Sequence, residues 1–71
     1  MSRNKMNAPQ AHEEQLMNLR SVYCRLTGPM KPKTFADLIR IANINGYYDA
    51  ADHVQHKAES GITDLNEMME W

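Results

Sequence analysis

Gly46 lies between two apolar stripes that are out of phase, and this offset constrains the fold more than any other feature of the chain. The upstream stripe consists of Phe35, Leu38, Ile39 and Ala42, and the downstream stripe consists of Tyr47, Ala51, Val54 and Ala58. Both stripes have helical spacing. At about 100° per residue, one straight helix would place Ala42 and Ala51 about half a turn apart. A turn at Asn45–Gly46 brings both stripes onto one core, so the sequence predicts a helical hairpin.

Helical patterns on either side of this hairpin predict an all-α fold, a small bundle of three to four helices. Residues 1–10 are polar and are expected to form a disordered arm, which leaves residues 11–71 as a single helical domain. The first helix is expected to stop at Gly28-Pro29, because glycine followed by proline ends helices. The later helices are predicted over residues 35–44, 47–59 and 64–70.

Two threonines are suited to begin helices. Thr34 precedes the second helix, and Asp37 at the third helical position completes a pattern close to a capping box. Thr63 is expected to cap the short last helix in the same way. The second helix also carries Ile41 and Ile44 away from its main stripe, so we expect it to be the central helix, covered from two directions.

Size and composition limit the class of protein. The chain of 71 residues has room for one small domain, and its net charge of −1 is unlike the basic balance of a dedicated nucleic-acid binder. Cys24 is the single cysteine, so a reducing compartment is expected. No run of about 18 apolar residues is present, and no apolar stretch typical of a secretory signal follows the first residues. The expected location is the cytoplasm, without a membrane partner.

A pattern of aromatic and small residues runs through the hairpin. Its members are Phe35, Leu38, Gly46, Tyr48, Ala51 and Ala58. This pattern resembles a single tetratricopeptide repeat, over about a third of the chain. The sequence departs from that family at Ile39, which replaces a small residue, at Ala42, which replaces a large one, and at Gln55, which replaces an aromatic. The resemblance implies a protein-binding surface without catalytic chemistry.

One cluster of side chains has metal-ligating chemistry: Asp49, Asp52, His53 and His56. On a helix each aspartate lies one turn before a histidine, but the spacings H-E-x-x-H and E-x-x-H are absent. Ion pairs on a solvated helix face explain the same spacing, so neither a metal nor a cofactor is predicted. Cys24 is interpreted as a small packing residue and not as a nucleophile, and the chain is predicted not to be an enzyme.

The turn at Gly46 also permits comparison with a DNA-binding helix-turn-helix motif. Ala42 matches the small residue that such motifs carry four positions before the turn glycine. Asp52 and Gln55, however, fall where apolar packing residues belong, and an acidic helix is repelled by phosphates. A small DNA-binding transcriptional regulator is therefore the disfavoured alternative.

The predicted function is that of a small accessory or regulatory protein that binds another protein and forms a homodimer, since a thin core benefits from a partner subunit. Chains of this length without a catalytic set are often bacterial or phage accessory proteins. The side chains expected at a protein interface are Ile41, Ile44, Tyr48, Met68, Met69 and Trp71. Two interpretations of the last helix stay open, because its methionines suit either a partner surface or the core of the chain itself.

Overall fold

A computed structural model of the chain describes the backbone of residues 3–71 and the side chains of residues 12–71. This part of the chain is an all-α bundle, as the sequence predicts. Its α-helices are α1 (Arg3–Arg25), α2 (Phe35–Ile44), α3 (Tyr48–Glu59) and α4 (Leu65–Met68), with a 3₁₀ turn at Gly28–Met30 between α1 and α2. The backbone of residues 3–10 belongs to α1 here, while the side chains of the predicted arm, residues 1–10, lie outside the described part; the division of the chain into an arm and a domain stays a prediction.

The link between α1 and α2 is fixed by contacts back to α1. Lys31 donates from Nζ to the carbonyl oxygen of Tyr23 at 2.9 Å, and the same nitrogen lies 3.9 Å from the centroid of the Tyr23 ring. Pro32 is buried in this link. Upstream, Leu16 and Leu19 form the buried stripe of α1, and Tyr23 packs against the core that they join. The link therefore holds the end of α1 close to the start of α2.

The hairpin between α2 and α3 turns at Gly46, which confirms the prediction from the two stripes. Gly46 has a φ of +82°, a left-handed conformation that favours glycine. Its N–H donates to the carbonyl of Asn43, and the N–H of Tyr47 donates to the carbonyl of Ala42 at 2.7 Å. These two bonds define a Schellman motif, which satisfies carbonyls that the helix end leaves free. The reversed chain then directs Ala42 and Ala51 into one core.

Helix α3 is the central helix, because it packs against α1, α2 and α4. The expectation that α2 is covered from two sides is wrong: Ile41 is half-buried against the core, while Ile44 is exposed. Ala50 and Ala51 on α3 are both buried. Side chains this small let neighbouring helices approach closely, which suits a helix with three neighbours.

The predicted helix beginnings have different outcomes. Thr34 is the N-cap of α2, and its Oγ1 accepts a hydrogen bond from the N–H of Asp37 at 3.2 Å, as expected. The prediction for Thr63 is wrong, since α4 has Asp64 at its N-cap position and no hydrogen bond from a capping side chain. Helix α4 therefore depends on packing more than on local capping.

Candidate interaction surface and ring cluster

Two exposed apolar side chains flank the hairpin turn. Ile44 ends α2 and is 75% exposed, and Tyr48 begins α3 and is 65% exposed. Both lie off the stripes that the turn directs inward, which is why they remain on the surface. We call Ile44 and Tyr48 the turn patch. Because a rigid Schellman turn separates them, the hairpin presents both side chains at one end of the bundle.

Gln15 ties this end of the hairpin to α1. Its Oε1 accepts hydrogen bonds from the N–H of Asp49 at 2.8 Å and from the N–H of Ala50 at 3.2 Å. Both donors belong to the first turn of α3, where N–H groups have no partner within the helix. Sequence reasoning missed this role, because Gln15 belongs to no periodic pattern and its partners are more than thirty residues away.

The other residues predicted at an interface have different positions. Met68 and Met69 are buried at 3% and 1% exposure in the core of the chain, so they are not available to a partner in this structure. Of the two interpretations left open for the last helix, the structure has the one in which its methionines pack into the core of the chain itself. Ile41 packs against the same core. Trp71 is 64% exposed, but its ring contacts two histidines.

These contacts form a ring cluster, which we define as His12, His53 and Trp71. The Nε2 atom of His12 and the Nδ1 atom of His53 lie 3.2 Å apart, at hydrogen-bond distance. The His12 ring meets the Trp71 ring edge-on, with centroids 4.9 Å apart and planes at 78°. The rings of His53 and Trp71 are parallel to within 1°, with centroids 6.1 Å apart. The cluster thus joins α1, α3 and the end of the sequence.

A backbone bond determines the protonation pattern of His53. Its Nε2 lies 2.6 Å from the carbonyl oxygen of Glu70. A carbonyl accepts only, so Nε2 carries a proton and donates. Burial lowers the pKa of His53 from its ordinary value, and the bond to the Glu70 carbonyl opposes this effect only in part. The charges of His12, Lys57 and His56 lower the pKa further.

This geometry replaces the predicted pairing of His53 with Asp49. His53 contacts α1 and the end of the sequence, whereas Asp49, Asp52 and His56 are exposed. Among residues 12–71, no group of three or more histidine, cysteine, aspartate or glutamate side chains is arranged to hold a metal ion. The sequence contained the histidines, but nothing in their spacing indicated that His12 and His53 meet.

Cys24 is exposed on α1, so its interpretation as a packing residue is wrong. It lies in an open depression on the outer face of the helix, which Met17, Arg20, Ser21 and Arg25 also line. The core-facing stripe of α1 passes through Leu19 and Tyr23 instead, on the opposite side of the helix.

A second apolar region lies between the start of α2 and α4. It is a shallow groove of about 370 Å³, with Lys33 and Thr34 at its edge. Its apolar lining comes from Phe35, Ala58, Ile62, Leu65 and Met68. Phe35 is 44% exposed here, although it belongs to the predicted core stripe of α2. This position at the first turn of α2 leaves the ring at the margin of the core.

The surface of α3 disfavours a DNA-binding role. Asp49, Asp52, Gln55 and Glu59 are exposed on this helix, so the residues that would meet a nucleic acid carry three carboxylates. Phosphates repel such a surface. Lys31 in the preceding link is already engaged by Tyr23. Asp52 and Gln55, both exposed, are the positions at which the sequence departs from a helix-turn-helix motif.

The chain matches no protein-family model, and comparison with curated proteins and with solved structures finds no significant match. The resemblance to a tetratricopeptide repeat therefore rests on the residue pattern of the hairpin alone. In the part of the chain that the structure describes, none of the helices combines the length and the apolar character required to cross a lipid bilayer.

Proposed function

We propose that this chain is a small non-enzymatic accessory or regulatory protein that acts by binding another protein through the turn patch. The observation that carries the proposal is the exposure of Ile44 and Tyr48, 75% and 65%, at the tip of an ordered hairpin. Exposed apolar side chains grouped at one site are typical of interaction surfaces, and tyrosine is common among the residues that dominate binding energy.

The way in which the turn patch is held supports this proposal. The Schellman motif fixes the turn, and Gln15 fixes the first turn of α3 against α1. A surface that is ordered before binding loses less conformational entropy when a partner docks. Ile44 and Tyr48 therefore have the rigid support that an efficient binding site needs.

We also propose that the chain forms a homodimer in the cytoplasm while no other partner is bound, with turn patches facing each other across a two-fold axis until the partner replaces the second copy. In such an interface the same patch of each subunit contributes, so each exposed apolar pair covers the other. The thin core favours this arrangement, because small domains gain stability from association.

Sedimentation of the full chain at micromolar concentration tests the homodimer. We expect the mass of two chains for the unaltered protein and the mass of one chain for Ile44→Ser/Tyr48→Ser, with the same far-UV circular dichroism. Met30→Ser is the matched control, because Met30 is also exposed, at 69%, but lies in the link before α2. A monomer mass for the unaltered chain would rule out the homodimer.

Crosslinking and mass spectrometry in extracts of the native host test the wider proposal. A specific partner should be captured by the unaltered chain and by Met30→Ser, and lost with Ile44→Ser/Tyr48→Ser. Equal capture by all three proteins would show that the turn patch is not the binding site. Binding that persists between about 50 mM and about 200 mM salt would separate apolar docking from phosphate contacts, which weaken steeply over that range.

A further inference from the structure

The last seven residues of the sequence, 65–71, form a segment whose conformation depends on contacts with the rest of the fold. We call residues 65–71 the closing segment. Its helix α4 spans only Leu65–Met68 and lacks a capping side chain. A single helical turn has almost no stability of its own in water. The segment is nevertheless ordered, with Met68 and Met69 buried at 3% and 1% exposure.

Two types of contact hold the closing segment in place. Met68 and Met69 pack into the core, and Leu65 packs against it. Beyond them, the Glu70 carbonyl accepts a hydrogen bond from His53, and Trp71 lies against the rings of His53 and His12. The ring cluster is therefore the polar attachment of an otherwise apolar segment.

The hydrogen bonds of the ring cluster limit how many protons it can carry. Since Nε2 of His53 donates to Glu70, a neutral His53 has a bare Nδ1, which accepts from Nε2–H of His12. If both rings were protonated, two N–H donors would face each other across 3.2 Å and two positive charges would adjoin. The closed cluster therefore accommodates one charged ring at most, whereas two separated histidines accommodate two.

We propose that the closing segment is a proton-released latch: protonation of both His12 and His53 breaks the ring cluster and frees residues 65–71 from the core. Release exposes Met68 and Met69, and it removes one wall of the groove that Leu65 and Met68 line. This proposal is independent of the turn patch, because it involves none of the same residues.

The electrostatics around His53 also favour release of the closing segment on protonation. Charged or titratable groups come from α1 (His12), from α3 (His56 and Lys57) and from the closing segment, where Glu70 presents its backbone carbonyl. Burial is the largest cause of the lowered pKa of His53, and the three neighbouring side chains lower it further. The closed state, in which residues 65–71 are packed in place, thus binds protons less readily than the open state, in which they are released.

The sign of the pH dependence follows from this difference. Above the pKa of a free histidine, about 6.5, both states hold His53 neutral and the latch keeps its full stability. As the pH falls below that value, the open state gains a proton before the closed state does, and closure weakens until the lowered pKa is passed. The ratio of open to closed molecules rises by up to about tenfold per pH unit in this window.

Methionine oxidation measures the release directly in the full chain. Dilute peroxide converts accessible methionine to its sulfoxide, and peptide mass spectrometry locates the product. Met17 and Met30, 60% and 69% exposed, serve as internal references. We expect the oxidation rate of Met68 and Met69, relative to these references, to rise by up to about fivefold between pH 6.5 and pH 5.5, because a free histidine with a pKa of about 6.5 is already half protonated at the upper pH. Far-UV circular dichroism should keep the signal of α1, α2 and α3.

Variants assign the effect to the ring cluster. His53→Gln retains an amide that can donate to Glu70 but does not titrate, so the rise should disappear. His12→Gln removes the second titratable ring, and its amide can present either a donor or an acceptor to Nδ1 of His53, so the rise should be reduced; this provides a second variant if His53→Gln does not fold. His56→Gln is the control on the same helix, because His56 is exposed and has the smallest of the effects that lower the pKa of His53; the rise should persist in this variant, reduced only slightly.

The fluorescence of Trp71, the single tryptophan, gives an independent readout. Its emission maximum should move to longer wavelength as the pH falls from about 8 to about 5, in step with the oxidation of Met68 and Met69. An oxidation ratio that does not change over this range overturns the proposal. An unchanged rise in the variants at His12 and His53, or a loss of all helical signal at low pH, overturns it equally.

Discussion

Gly46 connects the offset of two apolar stripes to a single backbone angle. With φ at +82°, an alanine would be strained even though a Cβ at this position meets nothing within 4 Å. The left-handed conformation costs an ordinary residue about 1–2 kcal/mol, offset in part by the reduced entropy of the unfolded chain. We predict that Gly46→Ala lowers the free energy of unfolding by about 1 kcal/mol, measured by urea denaturation.

Gly46→Asn is the control for this prediction, because asparagine tolerates the left-handed region better than alanine does. It should lose less stability than Gly46→Ala while adding a larger side chain into the same open space. If alanine left the stability unchanged or raised it, the chain would not turn at Gly46 in solution, and the hairpin would be wrong.

Single residues differ in how far the sequence reveals their role. Gly46 could be predicted, because the two stripes on either side are periodic and their phases can be compared. His12 and His53 could not, since their contact joins positions 41 residues apart and neither histidine is part of an apolar period. The contact depends on how α1 and α3 pack, which is information that no local spacing contains.

Gln15 illustrates how a helix end is stabilised from another helix. Tyr47, the N-cap of α3, makes no capping hydrogen bond from its side chain, and Gln15 supplies the acceptor from α1. We predict that Gln15→Ala lowers the free energy of unfolding by about 1–2 kcal/mol, because two N–H groups lose one shared acceptor. Thermal or urea denaturation of the full chain measures the loss.

Two variants distinguish this role from a general effect of substitution. Gln15→Glu keeps an acceptor and adds a negative charge where the dipole of α3 is positive, so its stability should equal or exceed that of the unaltered chain. Gln55→Ala removes an exposed glutamine whose partner is Glu59 on the same helix, and it should change little. Equal losses for Gln15→Ala and Gln55→Ala would contradict the proposed cap.

The helices themselves were the part of the fold that the sequence predicted best. The α2 limits and the Thr34 cap follow from local signals, an apolar period and a capping residue. Which helix packs against which does not follow from local signals: α3 is central, and the buried Ala50 lies outside the predicted stripe. A period identifies the face that is buried, but the number of neighbours depends on contacts between distant segments.

Over the whole molecule, stability depends on a small core. Among residues 12–71, one cluster of buried apolar side chains draws on all four helices: Leu16, Leu19, Leu38, Ala42, Ala50, Ala51, Val54, Met68 and Met69. Three of these nine are alanines, which bury little area each. A core of this size supplies about 3–5 kcal/mol of net stability, so one large side chain accounts for much of the total.

Leu38 is the position at which the small total stability of the core is most easily tested. It is fully buried on α2, and truncation of a buried leucine to alanine costs about 2–5 kcal/mol. We predict that Leu38→Ala leaves the chain largely unfolded at 25 °C, with loss of helical circular dichroism, because the cost matches the expected total stability. Met30→Ala, at a position 69% exposed, should stay folded with a change of about 0.5 kcal/mol or less. If Leu38→Ala remained folded and highly stable, the chain would have a source of stability beyond this core, and association with a second copy would be the first to measure.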